Sequence, residues 1–162
     1  MRRLTLLGVA MALATVLADQ ASKWWVLDVF DLPAKASVAV MPGLNLTMVW
    51  NRGITFGLLS NDSTWGSVAL AGVALVVVVA LFRWLCRAER GWVALALGAV
   101  AGGAVGNVID RLRFGAVVDF IHVHAWGWSW YVFNIADAAI VCGVGVLLLD
   151  SILAARRAPA VT

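Results

Sequence analysis

Between Trp65 and Phe82 the chain carries no ionisable side chain, and between Trp92 and Ile109 it again carries none. A helix crosses the hydrocarbon core of a bilayer with about 20 mostly apolar residues. A lone strand cannot satisfy its backbone there, so the run Val76-Val77-Val78-Val79 reads as helix despite its strand propensity. Stretches from about Leu4 to Val26 and from about Ile135 to Leu153 meet the same criterion. The expected architecture is an all-α membrane protein with four spans, at about 4–26, 65–82, 92–109 and 135–153. Composition agrees: 63% of the 162 residues are hydrophobic and 13% charged, where a soluble domain is nearer half apolar and a quarter charged. That excludes an ordinary soluble enzyme and a disordered chain. It also excludes a nucleic-acid binder, because a net charge of +3 on so apolar a chain makes no phosphate-binding face. The whole of 1–162 is expected to be one membrane domain.

Arg2 and Arg3, the apolar stretch after them and the small residues Ala14 and Ala18 resemble a cleavable signal peptide. Apolar character resumes at Trp24-Trp25-Val26, however, so this segment is expected to remain as the first span. Cys86 lies among arginines and Cys142 inside an apolar run; the two make no disulfide framework and read as free thiols.

The few charges are sorted. Arg2 and Arg3 precede the first span, Arg83, Arg87 and Arg90 lie between the second and third, and Arg156 and Arg157 follow the fourth. With four spans these places share one side, and the excess of arginine makes that side cytoplasmic, with both termini there. Asp19, Asp28, Asp31, Asp62, Asp110, Asp119 and Asp137 fall at the other ends; only Glu89 and Asp150 do not. Two segments lie on that outer side. The first, about 34–60, has β-rich stretches at Ser37 to Met41 and Leu44 to Trp50 and reads as a small sheet on the membrane surface. The second, Asp110 to Phe133, holds an apolar-acid turn at Val117-Val118-Asp119-Phe120 and the aromatic cluster Trp126 to Tyr131, suited to the headgroup level.

Ionisable groups at membrane depth need a partner or a purpose. Asp19 and Lys23 are four apart on one helix face, either a charge pair with Lys23 reaching outward or a wall of a polar site. Asn107, Asp110 and Arg111 share a face at the end of the third span, with Arg111 beside Asp110 to neutralise it. Asn134 and Asp137 open the fourth span as a helix cap and first-turn acid. Asp119 sits among Val117, Val118 and Phe120, surroundings that favour a proton-carrying carboxyl. A second carboxylate beside it would complete an aspartic-protease pair. From the residues alone, Asp119 with Asp137 cannot be chosen over Asp110 with Asp137. Gly98, Gly102 and Gly106, each four apart, suit close helix packing. His122 and His124, without a nearby Cys or Glu, read as exposed loop histidines rather than metal ligands.

Four blocks in order carry a resemblance: Asp19-Gln20-x-x-Lys23; Asn51-Arg52-Gly53-Ile54-Thr55-Phe56-Gly57; Gly102 to Arg111 leading to Val117-Val118-Asp119-Phe120-Ile121; and Phe133-Asn134-Ile135-Ala136-Asp137. Over about Asp19 to Leu149 the chain closely resembles the bacterial lipoprotein signal peptidases (signal peptidase II). One departure is Thr55, where the family usually has Ala or Ser. The resemblance implies an aspartic endopeptidase at the outer face of the inner membrane. It would remove the signal peptide from prolipoproteins whose lipobox Cys carries diacylglycerol, cutting just before that Cys. Asp119 and Asp137 map onto the catalytic pair. Asp19, Lys23, Asn51, Gly53, Asn107, Asp110, Arg111 and Asn134 map onto positions that hold the pair or contact substrate. It further implies a β-cradle, inhibition by globomycin, membrane lipid as neighbour, no nucleic acid, and neither metal nor cofactor. A monomer is expected. Three other readings stand beside it: a proton-coupled carrier, for which the charge-free second and third spans offer no midplane group; a metalloprotease built on His122 and His124; and an assembly or anchor protein without activity.

Overall fold

The computed structural model describes residues 3–53 and 64–157. The rest of the predicted cradle, 54–60, with Thr55, and also Asp62 and Arg2, lie outside the described residues. In chain order the elements are α1 (Arg3–Trp24), a π-helical turn (Trp25–Val29), α2 (Leu32–Lys35), β1 (Ser37–Met41), β2 (Leu44–Asn51), α3 (Thr64–Leu85), α4 (Gly91–Phe114), β3 (Val117–Ala125), β4 (Trp128–Ser129) and α5 (Ile135–Arg157). Among the described residues four helical stretches are long and apolar enough to cross a membrane, in the four places the hydropathy predicts.

The third differs in length. It runs on to Phe114 and ends at Gly115, whose φ of 70° closes it in the left-handed region that glycine enters without a Cβ clash. Asn107, Asp110 and Arg111 are therefore helical and share a face, as their spacing predicts; the helix exceeds the predicted span by the residues after Ile109.

α4 is the centre of the bundle. Of its apolar window 61% is buried, against 6% for α5, which turns most of its surface outward. Where lipid surrounds the helices, association rests on close van der Waals contact, and small residues permit it. The glycine stripe supplies that contact. Gly98 faces the Gly8 backbone, Gly102 faces Ala12 and Thr15, and Gly106 faces Asp19. These pairs rise together along both helices, so α1 and α4 run parallel. On the other side Gly103 faces Ala136 and Gly143 faces Ala96, so α5 runs antiparallel to α4. The start of α1, the end of α3, the start of α4 and the end of α5 thus share one end of the bundle, where Arg3, Arg83, Arg87, Arg90 and Arg156 gather. Asp150, one of the two acids expected away from the others, accepts there from Arg90 Nη1 at 2.6 Å and Trp92 Nε1 at 2.8 Å.

At the other end lies an antiparallel sheet of order β1-β2-β3-β4. β1 and β2 match the predicted strands. β3 corrects the expectation of a turn at Val117 to Phe120. All four of those residues are buried, so the strand has no polar alternation to betray it, and its partner β2 is distant in sequence. Val118 and Phe120 pack with Val26 and Leu32 in a small core beneath the sheet. β3 and β4 meet through Trp126 and Gly127, both at positive φ (47° and 81°), as a two-residue hairpin requires. Trp126, Trp128, Trp130 and Tyr131 are strongly exposed. His122 and His124 belong to β3, correcting their loop placement; each is half-buried and bonded within the sheet, to Ser129 and Asn45 respectively. Cys86 and Cys142 are free thiols.

Candidate active site

Five elements converge where the bundle meets the sheet. α1 brings Asp19, Gln20 and Lys23; α4 brings Asn107 and Asp110; β2 brings Asn51, β3 Asp119, and the start of α5 Asn134 and Asp137.

Lys23 is at the bottom of this cluster. Its ammonium lies 2.8 Å from Asp19 and 2.7 Å from Asp110, and donates to Asn107 Oδ1 at 3.3 Å. The three charged residues are at most 2% exposed. The expectation that Lys23 reaches outward is thereby corrected: two buried carboxylates on neighbouring helices hold the ammonium inside. An uncompensated charge there costs about 3–5 kcal/mol, so none of the three is dispensable to the other two. The pairing of Asp110 with Arg111 is corrected for the same reason. Consecutive helical residues do not face each other; Asp110 turns toward α1, where it also accepts from Gln20 Nε2 at 2.9 Å. Arg111 instead donates from Nη1 to the Asn107 carbonyl at 3.3 Å, and its buried Nε has no partner among the described residues. Gln20 was not among the predicted site residues, although it lies three before Lys23 on a span.

Asp119 is 1% exposed. Asn134 Nδ2 donates to its Oδ1 at 2.7 Å, and Asn51 Nδ2 to its Oδ2 at 2.9 Å. Asn51 reaches it because β2 carries an irregularity between Leu46 and Val49, after which Val49 stands opposite Asp119. Gly53 fixes Asn51 in turn: its N–H donates to Asn51 Oδ1 at 2.9 Å, from a φ of 72°, where an added Cβ would meet Leu70. Burial pushes the Asp119 carboxyl up to about 6; the nearby Asp137 carboxylate raises it too, while bonds from Asn51 and Asn134 and the charge of Lys23 hold it down.

Asp137 is reached through Asn134 and a third asparagine, Asn107. Asn107 Nδ2 donates to its Oδ1 at 2.8 Å. Asn134 Oδ1 accepts the Asp137 N–H at 2.9 Å, while the Asn134 N–H points back to Asp137 Oδ2 at 3.4 Å. That is a reciprocal capping box, so the predicted cap is present. The same Asn134 amide also donates to Asn107 Oδ1 at 3.2 Å. One residue therefore starts α5 and links Asp119, Asn107 and Asp137.

Beside Asp119 opens a pocket of about 620 Å³, walled by Val49, Asn51, His122, Ser129, Trp130 and Tyr131. Val49, Ser129, Trp130 and Tyr131 were not foreseen as site residues, and His122 was considered only as a metal ligand; the aromatic run is the signal that Trp130 and Tyr131 leave in the sequence. Of the predicted residues, Asp19, Lys23, Asn51, Asn107, Asp110, Asp119, Asn134 and Asp137 form one hydrogen-bonded cluster. Gly53 and Arg111 border it through Asn51 and Asn107.

A multi-pass membrane protein with a buried carboxylate cluster at the sheet-bearing end of its helices is the class that this fold and site define. The model of the signal peptidase (SPase) II family matches residues 11–153. The lipoprotein signal peptidase of Methylobacterium sp. (strain 4-46) is 47% identical over 155 residues, 96% of this chain and 94% of that one. That of Nitrobacter hamburgensis is 46% identical over 157 residues, 94% of each. A bacterial membrane enzyme solved by the in meso method at 1.9 Å superposes with a TM-score of 0.75 at 27% identity, over 88% of this chain and 90% of that one. A second, at 2.3 Å, gives 0.76 at 24% identity over 96% and 93%, a likeness of fold. The chain belongs to the signal peptidase II family and is a peptidase.

Proposed function

We propose that this peptidase is an aspartic endopeptidase that removes the signal peptide from prolipoproteins carrying diacylglyceryl-Cys, cutting just before that residue, with Asp119 and Asp137 as the catalytic pair. The observation that carries this is Asn134, whose side-chain amide donates to the buried Asp119 carboxyl, held up to about 6, and whose backbone N–H points to the Asp137 carboxylate, with Asn107 bridging from Asn134 to Asp137. Two carboxyls in one field hold one proton between them up to about pH 6, the value to which Asp119 is raised. The ionised member takes a proton from water, and the protonated member polarises the scissile carbonyl. A buried site strengthens that polarisation.

Depth supports the substrate. The apolar signal helix and the acyl chains place the cleavage point near the membrane surface, and the carboxylates stand at span ends rather than at midspan. The arginine-rich end of the bundle is the cytoplasmic one under the positive-inside rule. The sheet, the pocket and the site then face outward from the inner membrane of the cell, in a single-domain monomer open to globomycin. Arg111, whose charge is felt by Asp137, Asp110 and Asp119, would offset the negative charge of the acid cluster or meet the lipid phosphate or ester region of the substrate.

The test is a gel-shift cleavage assay on lipidated and unlipidated precursor, with and without globomycin, for the wild type, Asp119→Asn and Asp137→Asn. Cleavage of the lipidated precursor alone, blocked by globomycin and absent in both variants while they still insert, is expected. Full activity in either variant overturns the pairing.

A further inference from the structure

Asp119 and Asp137 sit on different elements, a strand and a helix, and their mutual position depends on how those two backbones are held. The hydrogen bonds one residue upstream of each have the same form. Asp110 Oδ2 accepts the N–H of Val118, the residue before Asp119, at 3.0 Å. Asp19 Oδ1 accepts the N–H of Ala136, the residue before Asp137, also at 3.0 Å. The two accepting carboxylates come from α4 and α1, and the Lys23 ammonium lies between them at 2.7 and 2.8 Å. Gln20 Nε2 spans the same gap, 2.9 Å from Asp110 and 3.1 Å from Asp19.

We infer that Asp19, Lys23 and Asp110 are one positioning clamp. It grips the peptide N–H preceding each of Asp119 and Asp137 and so sets their separation, resting on the catalytic reading above only for its consequence in rate. Lys23 touches neither peptide; it acts by holding together two carboxylates that would otherwise repel. Side-chain aim is a separate task, done by Asn51, Asn107 and Asn134. The clamp fixes the backbone, and it is built on the parallel helices that the glycine stripe brings together.

Two readouts test it, amide hydrogen exchange and steady-state kinetics per folded molecule on a diacylglyceryl-modified precursor. In Lys23→Met, the amides of Val118 and Ala136 are expected to lose protection together, by about tenfold or more relative to amides at mid-helix in α3 and α5. kcat is expected to fall about 100-fold with KM unchanged, the signature of a loss felt after binding. Asp110→Asn retains an acceptor oxygen for Val118 and is expected to keep about tenfold more kcat than Asp110→Ala. The double variant Lys23→Met/Asp110→Asn is expected to be no slower than Lys23→Met, because members of one unit are not additive. Should Lys23→Met not accumulate, the comparison of Asp110→Asn with Asp110→Ala decides by the same two readouts. Wild-type protection at Val118 and Ala136, protection lost evenly over all helices, or losses that multiply in the double variant would each overturn the clamp. Localised loss of protection together with an active Asp119→Asn leaves the clamp standing and removes the catalytic reading instead.

Discussion

The side-chain amide of Asn107 lies 2.8 Å from a carboxylate oxygen of Asp137, and its carbonyl oxygen takes bonds from both Lys23 and Asn134. Replacing Asn107 by Ala takes one partner each from the buried Lys23, the buried Asn134 and the half-buried Asp137; Lys23 keeps Asp19 and Asp110, and Asn134 keeps Asp119 and the Val118 carbonyl, so the net cost is about 1–3 kcal/mol. Asn107→Ala is expected to lower the thermal midpoint in detergent and to reduce kcat per folded molecule. A variant with the wild-type kcat would show that the Asn107 bond does not aim Asp137.

Asn134 permits a cleaner separation of roles. Serine is as good an N-cap as asparagine, so Asn134→Ser should keep helix stability within about 1 kcal/mol. It cannot donate an amide to Asp119. The buried bonds given up at Asp119, Asn107 and the Val118 carbonyl are expected to cost about 1–3 kcal/mol, with the first turn of α5 still protected from amide exchange and a large fall in cleavage rate per folded molecule. A wild-type cleavage rate per folded molecule would mean that the cap alone matters at this position.

Asp119 makes stability depend on pH in a definite direction. Its folded value of about 6 lies above the ordinary 3.8, so the folded state binds the proton more tightly. Below the ordinary value the carboxyl is neutral in both states and nothing is lost. As pH rises from about 4 to about 6 stability falls, and above that the full cost stands, on the order of 3 kcal/mol for a shift of this size. Unfolding at pH 5 and pH 7.5 is expected to show this decline in the wild type and a smaller one in Asp119→Asn. If the pair works with one proton, kcat/KM falls as pH climbs through about 6.

Gly106 is where helix packing and the polar cluster touch. An added Cβ would stand 2.5 Å from Asp19 Oδ2, in the space that the carboxylate uses to reach Ala136. Gly106→Ala is expected to cost about 1–3 kcal/mol by overpacking and to slow cleavage. Gly145→Ala, with nothing within 4 Å of the new carbon, is the control and should match the wild type in both measurements.

The spans were legible because an apolar window of that length has one solution in lipid. The ends were less so: α4 continues past Ile109 to Phe114, where Asp110, Arg111 and Arg113 break the apolar window. β1 and β2 are rich in strand formers that roughly alternate with polar residues, as in Leu44-Asn45-Leu46-Thr47, and were found; β3, buried from Val117 to Phe120, looks like any short apolar run. The spacing of Asp19 and Lys23 reveals one ion pair. The second partner, Asp110, is 87 positions away from Lys23, and no local rule reaches that far. The resemblance to a family singled out Asp119 and Asp137 among seven acids, but the asparagine relay joining them belongs to the folded chain alone.

The element order contains a consequence of its own. α1, β1, β2 and α3 make up the first half of the chain, two helices flanking α4 with a strand pair between them in sequence, and α4, β3, β4 and α5 the second, joined through the few residues between Leu85 and Gly91. Asp19, Lys23 and Asn51 lie in the first, and Asn107, Asp110, Asp119, Asn134 and Asp137 in the second. Neither half owns a complete site, yet the seam between them is lined by the parallel helices and by the β2–β3 ladder. A cut within that short linker would therefore leave both acids of the proposed pair on one piece and the Asp19–Lys23 part of the clamp on the other.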